Sequence, residues 1–154
     1  MKNLQKITFA LCLTLLFAAC GGSDDPTQGV GTFTAKVDGT NFSSMKASVS
    51  AVVASGILQV QRSDTRGNFI RINIASYNGV GTYTTGDDLS NTNSLMYGTV
   101  SPIASWVSTF DIGSGTITIT EDDDNHVKGT FSFTGVGQST SKQITEGKFN
   151  APKQ

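Results

Sequence analysis

Gly115-Thr116-Ile117-Thr118-Ile119-Thr120 and Gly129-Thr130-Phe131-Ser132-Phe133-Thr134 are the stretches whose reading decides the fold. In both, apolar side chains take every second position and hydroxyl side chains take most of the others. That is the period of a strand with one face buried and one face wet. Between them stands Glu121-Asp122-Asp123-Asp124-Asn125, a run of solvated turn residues. The pair is predicted to form an antiparallel hairpin.

The same alternation spreads outward through the chain. Ile70, Ile72 and Ile74 alternate with Arg71 and Asn73, behind the turn-like Ser63-Asp64-Thr65-Arg66-Gly67. Phe33, Ala35 and Val37 alternate with Thr34 and Lys36 up to Asp38-Gly39, a dipeptide suited to the positive φ of a tight hairpin, with Phe42 on the returning strand. From Thr32 onward no window of eleven or more residues has helical apolar spacing. Strands are expected near 32–37, 41–43, 46–53, 57–62, 68–75, 81–84, 95–100, 105–111, 115–121, 127–134 and 143–149. The expected fold is all-β over residues 32–151, an antiparallel β-sandwich, with a lipocalin-like closed barrel as the alternative.

Composition agrees with strands and turns. Thr (20), Ser (17) and Gly (17) fill over a third of the 154 positions, and three prolines are too few for a collagen-like or Pro-rich disordered chain. Eleven Lys and Arg against twelve Asp and Glu leave no basic footprint, which argues against nucleic acid as a partner. A domain of this size buries roughly two-thirds of its unfolded surface, so neither a disulfide nor a metal is needed to support its core.

Two lysines precede Ile7 to Ala19, thirteen almost unbroken apolar residues that end at Cys20. A spanning helix needs about 20 such residues, so the run reads as the core of an export signal over residues 1–19. Leu16-Phe17-Ala18-Ala19-Cys20 resembles a bacterial lipobox, with Phe17 a departure from the usual leucine. The resemblance implies cleavage before Cys20 and its acylation, including by palmitate. More than one acyl chain, at about 0.8 kcal/mol per buried methylene, gives stable anchoring without a spanning helix. Residues 20–31 lack an apolar face and read as a tether. Within it Ser23-Asp24-Asp25 resembles the short acidic signal that directs Bacteroidetes-type lipoproteins to the outer face of the outer membrane.

Gly81-Thr82-Tyr83, Trp106, the two stretches quoted first and Ile144-Thr145-Glu146-Gly147-Lys148-Phe149-Asn150 together resemble a family of uncharacterised Bacteroidetes-type outer-membrane lipoproteins, whose members open with an alternating strand and an aspartate-glycine turn. The resemblance spans Phe33 to Asn150. It implies a lipid-anchored all-β domain of unknown function with no established catalytic residues.

No residue pattern selects an enzyme. The acidic run 121–125 has His126 where an EF-hand needs its third ligand, and no glycine follows, so no calcium or other metal site is expected. His126, the only histidine, stands without a cysteine partner after processing. Asp87, Asp88, Asp111, Glu121 and Glu146 could supply a glycosidase-like carboxylate pair, but spacing selects none. Gly-Val-Gly recurs at 29–31, 79–81 and 135–137 without the following helix that a phosphate cradle requires. Tyr83, Tyr97 and Trp106 are the candidate ligand-binding residues, since aromatic faces stack on sugars as readily as they fill cores. The expected protein is a non-enzymatic envelope module, without cofactor, that binds a glycan or another envelope protein. The alternative is a barrel that carries a small apolar ligand. If Cys20 carries the lipid, Cys20→Ser leaves the protein in the soluble fraction of the cell envelope, and metabolic labelling with a clickable palmitate analogue drops to background.

Overall fold

The computed structural model describes residues 30–44, 49–137 and 139–154; the expected signal segment 1–19, the lipidated Cys20 and the Ser23-Asp24-Asp25 cluster lie outside the described residues. These hold eleven strands and no helix: β1 (Thr32–Val37), β2 (Thr40–Ser43), β3 (Ser50–Ala54), β4 (Ile57–Ser63), β5 (Phe69–Ile74), β6 (Gly81–Thr85), β7 (Ser94–Val100), β8 (Ile103–Thr109), β9 (Ser114–Asp122), β10 (His126–Gly137) and β11 (Thr140–Pro152). Among the described residues no helix is long and apolar enough to cross a membrane.

All eleven strands belong to one antiparallel sheet that curls into a half-barrel, in the order β2-β1-β11-β10-β8-β7-β5-β4-β3. β10 is the hub. Its first two-thirds pair with β9, which pairs in turn with β6, whereas Val136 near its end pairs with Val107 of β8. At this fork Gly113 passes where a Cβ would stand 2.5 Å from the Thr134 carbonyl oxygen and 3.0 Å from that of Val107. A buried hydrogen bond between the Thr85 and Ser108 hydroxyls, 2.6 Å long, links the two branches. At the far end of the sheet β3 meets the chain terminus, through a parallel bridge from Ala51 to Lys153 and a hydrogen bond from the Gln154 N–H to the Ala51 carbonyl.

The turns follow local chemistry. Asp38 (φ 46°) and Gly39 (φ 78°) join Val37 to Thr40 in the two-residue hairpin expected there. Ser55 and Gly56 (φ 52° and 74°) make an equivalent hairpin between β3 and β4. Several boundaries differ from expectation, including the late end of β10 at Gly137 and of β11 at Pro152. β8 stops at Thr109 because Phe110 (φ 51°) turns the chain, and β11 begins at Thr140, three residues early. Thr140, Ser141 and Lys142 carry no apolar alternation, because backbone pairing with Gly135, Val136 and Gly137 is enough to hold them.

Ile144 and Phe149 are five residues apart, so in a regular strand they would face opposite ways. Both are buried, and a bulge is the reason. Phe131 and Phe133 pair with Gly147 and Ile144, so one intervening residue of β10, Ser132, faces two of β11, Thr145 and Glu146, and β1 makes the same shift between Thr34 and Lys36. Glu146 takes the left-handed conformation (φ 52°) that the extra residue requires, and its carboxylate meets Lys36 Nζ at 2.7 Å.

The core faces the concave side. Phe33, Phe42, Phe131 and Phe149 form one aromatic cluster with ring centroids 5.2 to 6.4 Å apart. Leu58, Val60, Ile70, Ile72, Ile74, Leu95, Ile117 and Ile144 have no exposed surface at all. Among the described residues, the buried apolar side chains of this core lie between Phe33 and Ala151. Phe131→Ala, which removes one ring of the aromatic cluster, is expected to cost about 3–5 kcal/mol, read as a drop in the denaturant midpoint with little change in slope.

Candidate functional site

β1 enters the sheet at Thr32 opposite Asn150 and leaves at Val37 opposite Ile144, a run of roughly 20 Å. The residues before the domain therefore join at one end of the half-barrel, and the Asp38-Gly39 turn stands at the other. The start of β11, at Lys142, and the β4–β5 turn come to that far end as well. Together they border a groove of about 300 Å³ lined by Asp38, Asn41, Asp64, Arg66, Asn68, Tyr97 and Lys142, among others.

Tyr97 lines the groove's floor and is backed by Trp106. Tyr97 and Trp106 sit directly opposite each other on β7 and β8, and their rings stack at 5.7 Å and 22°. Both are only 8% exposed. Trp106 Nε1–H donates to Thr140 Oγ1 at 2.9 Å, and the Lys142 ammonium lies 5.5 Å from the indole ring. The Tyr97 hydroxyl has no hydrogen-bond partner among the described residues. Burial is the main influence that pushes this phenol above its ordinary pKa, with Asp64 and Asp38 adding to the shift and Lys142 and Arg66 opposing it.

The charged rim is ordered. Lys142 Nζ donates to Asp38 Oδ2 at 2.7 Å, and the Gln143 N–H donates to Oδ1 at 2.9 Å. These bonds, the lysine's first, hold the Asp38 carboxyl below the usual aspartate range and raise Lys142. Asp64 is saturated locally: Oδ1 accepts the N–H groups of Arg66 and Asn68, and Oδ2 accepts Asn68 Nδ2. The Arg66 guanidinium is exposed and makes no hydrogen bond or ion pair among the described residues.

Of the three aromatic candidates, the fold thus brings Tyr97 and Trp106 together and holds Tyr83 elsewhere. Tyr83 stacks on Tyr77 at 5.9 Å, donates its hydroxyl proton to the Gly79 carbonyl at 2.8 Å and accepts from the Asn78 N–H at 3.0 Å. The carboxylate candidates are scattered. Asp87 accepts from Asn91 Nδ2 at 2.6 Å, Asp88 accepts from the Ser90 N–H and hydroxyl, and Glu146 pairs with Lys36 across the sheet. Glu121 pairs with Lys128 at 2.8 Å, Asp122 with Lys153 at 2.6 Å, and Asp123 with His126 Nδ1 at 2.9 Å. Lys128 and Lys153 thus pair two acids of this turn, and no cluster of three or more potential metal ligands occurs among the described residues.

A second open groove, of about 330 Å³, crosses β6, β9, β10 and β11 and is lined largely by hydroxyl side chains such as Thr84, Thr116, Ser132 and Thr145. Sequence reading missed Lys142, Arg66 and Asn68 as site residues. Asp38 and the 63–67 segment were legible only as turns.

The Asp38–Lys142 pair has a pH signature. A carboxyl whose folded pKa is depressed adds stability above its unfolded value, about 4, and that stability disappears as pH falls through the folded value. Asp38→Asn keeps a residue that tolerates positive φ. The variant's thermal midpoint is expected to lie below that of the unaltered protein at pH 7, by the modest amount typical of an exposed ion pair, with the gap closing as the buffer is taken to pH 2.

No curated protein and no solved structure matches this chain. Residues 30–151, which contain nearly the whole sheet and both grooves, match the family described as a domain of unknown function, DUF6252. The β-rich domain built around this sheet therefore belongs to the DUF6252 family.

Proposed function

We propose that the protein is a lipid-anchored module of the outer membrane, displayed at the cell surface, that binds a glycan or another envelope protein without catalysing a reaction. The observation that carries this reading is the position of the polar groove: it lies at the end of the sheet opposite the point where the N-terminal segment joins. A domain held by lipid at Cys20 would turn that end away from the membrane. The export and anchoring steps rest on the Ile7–Ala19 run, Cys20 and Ser23-Asp24-Asp25.

The runner-up, a closed barrel that carries an apolar molecule, needs an empty interior. The Phe33, Phe131 and Phe149 rings and the fully buried isoleucines occupy the concave side, which favours a packed, sandwich-like arrangement of the curled sheet. A ligand at 100 times its dissociation constant adds about 2.7 kcal/mol of stability. A thermal-shift screen of residues 27–154 is expected to show midpoint rises of several degrees with glycans or with purified envelope proteins. A shift confined to apolar small molecules would transfer the assignment to the carrier.

A further inference from the structure

The groove's hydrogen-bonding valences are unequally committed. Asp38 and Asp64, its two acids, already accept five hydrogen bonds from Lys142, the Gln143 N–H, the Arg66 N–H and the N–H and side-chain amide of Asn68. Several strong donors remain open. The Arg66 guanidinium carries five N–H groups with none engaged among the described residues, Lys142 has spent one of three, and the Tyr97 hydroxyl opens on the groove unpartnered.

Tyr97 is the most firmly placed of these. Its ring is buried while its hydroxyl reaches the open groove, whereas the Tyr83 hydroxyl is engaged by Gly79 and Asn78. Here the ring is fixed by its stack on Trp106, so the hydroxyl is aimed at one spot on the groove floor rather than left to rotate freely. A rigid phenol beside a planar guanidinium and an ammonium matches an oxyanion, which accepts several hydrogen bonds in fixed geometry. A neutral sugar would leave the unpaired Arg66 guanidinium without a counter-charge.

Resting on the binding-module reading above, we infer that this groove recognises the charged group of an acidic glycan, a sugar carboxylate or sulfate, through Arg66, Tyr97 and Lys142. The neighbouring Thr40, Asn41 and Asn68 provide short polar side chains for the sugar's hydroxyls. The volume, about 300 Å³, lies at the lower bound of ordinary ligand pockets and suits one or two sugar rings rather than a long chain.

The test is calorimetric titration of the full chain with four probes: oligogalacturonate, its fully methyl-esterified form, a sulfated galactan oligosaccharide and oligoglutamate. Trp106, the only tryptophan, gives a second readout through its emission. The expected result is binding of the carboxylated or the sulfated sugar, which assigns the source of the anion, with the ester at least tenfold weaker. Arg66→Gln, at an exposed position, and Tyr97→Phe, which keeps the stacked ring, should each weaken the acidic sugar about tenfold, with circular dichroism unchanged. Equal binding of acid and ester, insensitive to both variants, overturns the inference and leaves the binding module standing. Preference for oligoglutamate overturns it in favour of an acidic peptide. Retention of a purified envelope protein with silence toward all sugars defeats the inference alone, and silence toward envelope proteins and sugars alike defeats both.

Discussion

One extra residue in β11 keeps the sheet in register. Without the bulge at Thr145-Glu146, either Ile144 or Phe149 would point to solvent, and the strands on both sides would inherit the error, since a one-residue slip turns every later side chain over. β1 and β10 both adjust to it, so three neighbouring strands share one irregularity. The left-handed Glu146 is a strained choice for a residue with a side chain, at a cost of order 1–3 kcal/mol. Phe149, packed on Phe33 and Phe131, offsets that strain by completing the aromatic cluster. Gly147 has the complementary task, because a Cβ there would lie 2.7 Å from Phe131 Cδ1 and Cδ2.

The aromatic cluster and the groove are opposite uses of the same element. Near its C-terminal end β11 buries Phe149 and Ala151 and contributes no charge to the interior. Near its start it presents Lys142 and Gln143 to Asp38 across the β1–β2 turn. Antiparallel pairing of β11 with β1 is what places these two roles at opposite ends of one strand. A core that is complete without the polar end leaves that end free to vary, which is the usual division between scaffold and binding loops.

Much of the architecture was legible because period-2 alternation is a local signal. Ile70-Arg71-Ile72-Asn73-Ile74 and Phe131-Ser132-Phe133 read as half-buried strands without any knowledge of their neighbours, and Asp38-Gly39 announced its own turn. The bulge left a trace too. The odd spacing of Ile144 and Phe149, with a glycine between them, is incompatible with one regular face. The groove left almost none. Asp38, Asp64 and Lys142 come from segments up to 104 residues apart, and each looks like an ordinary turn or surface residue until strand order brings them together. Tyr97 and Trp106 were visible as aromatics, but their pairing depends on the β7–β8 register, and alternation alone did not say which way Trp106 faced.

The pairing of the first strand with the last also governs how the domain is made. β1 has β2 on one edge, but its other edge waits for β11, more than a hundred residues later, and the terminal Lys153 and Gln154 are needed to meet β3. Contacts of such long sequence separation slow folding, because the loop between them must be closed before they contribute stability. A chain emerging from one end, whether from a ribosome or through a membrane, can form its local hairpins as it appears. It cannot finish the sheet until β11 has formed beside β1 and Lys153 has reached Ala51.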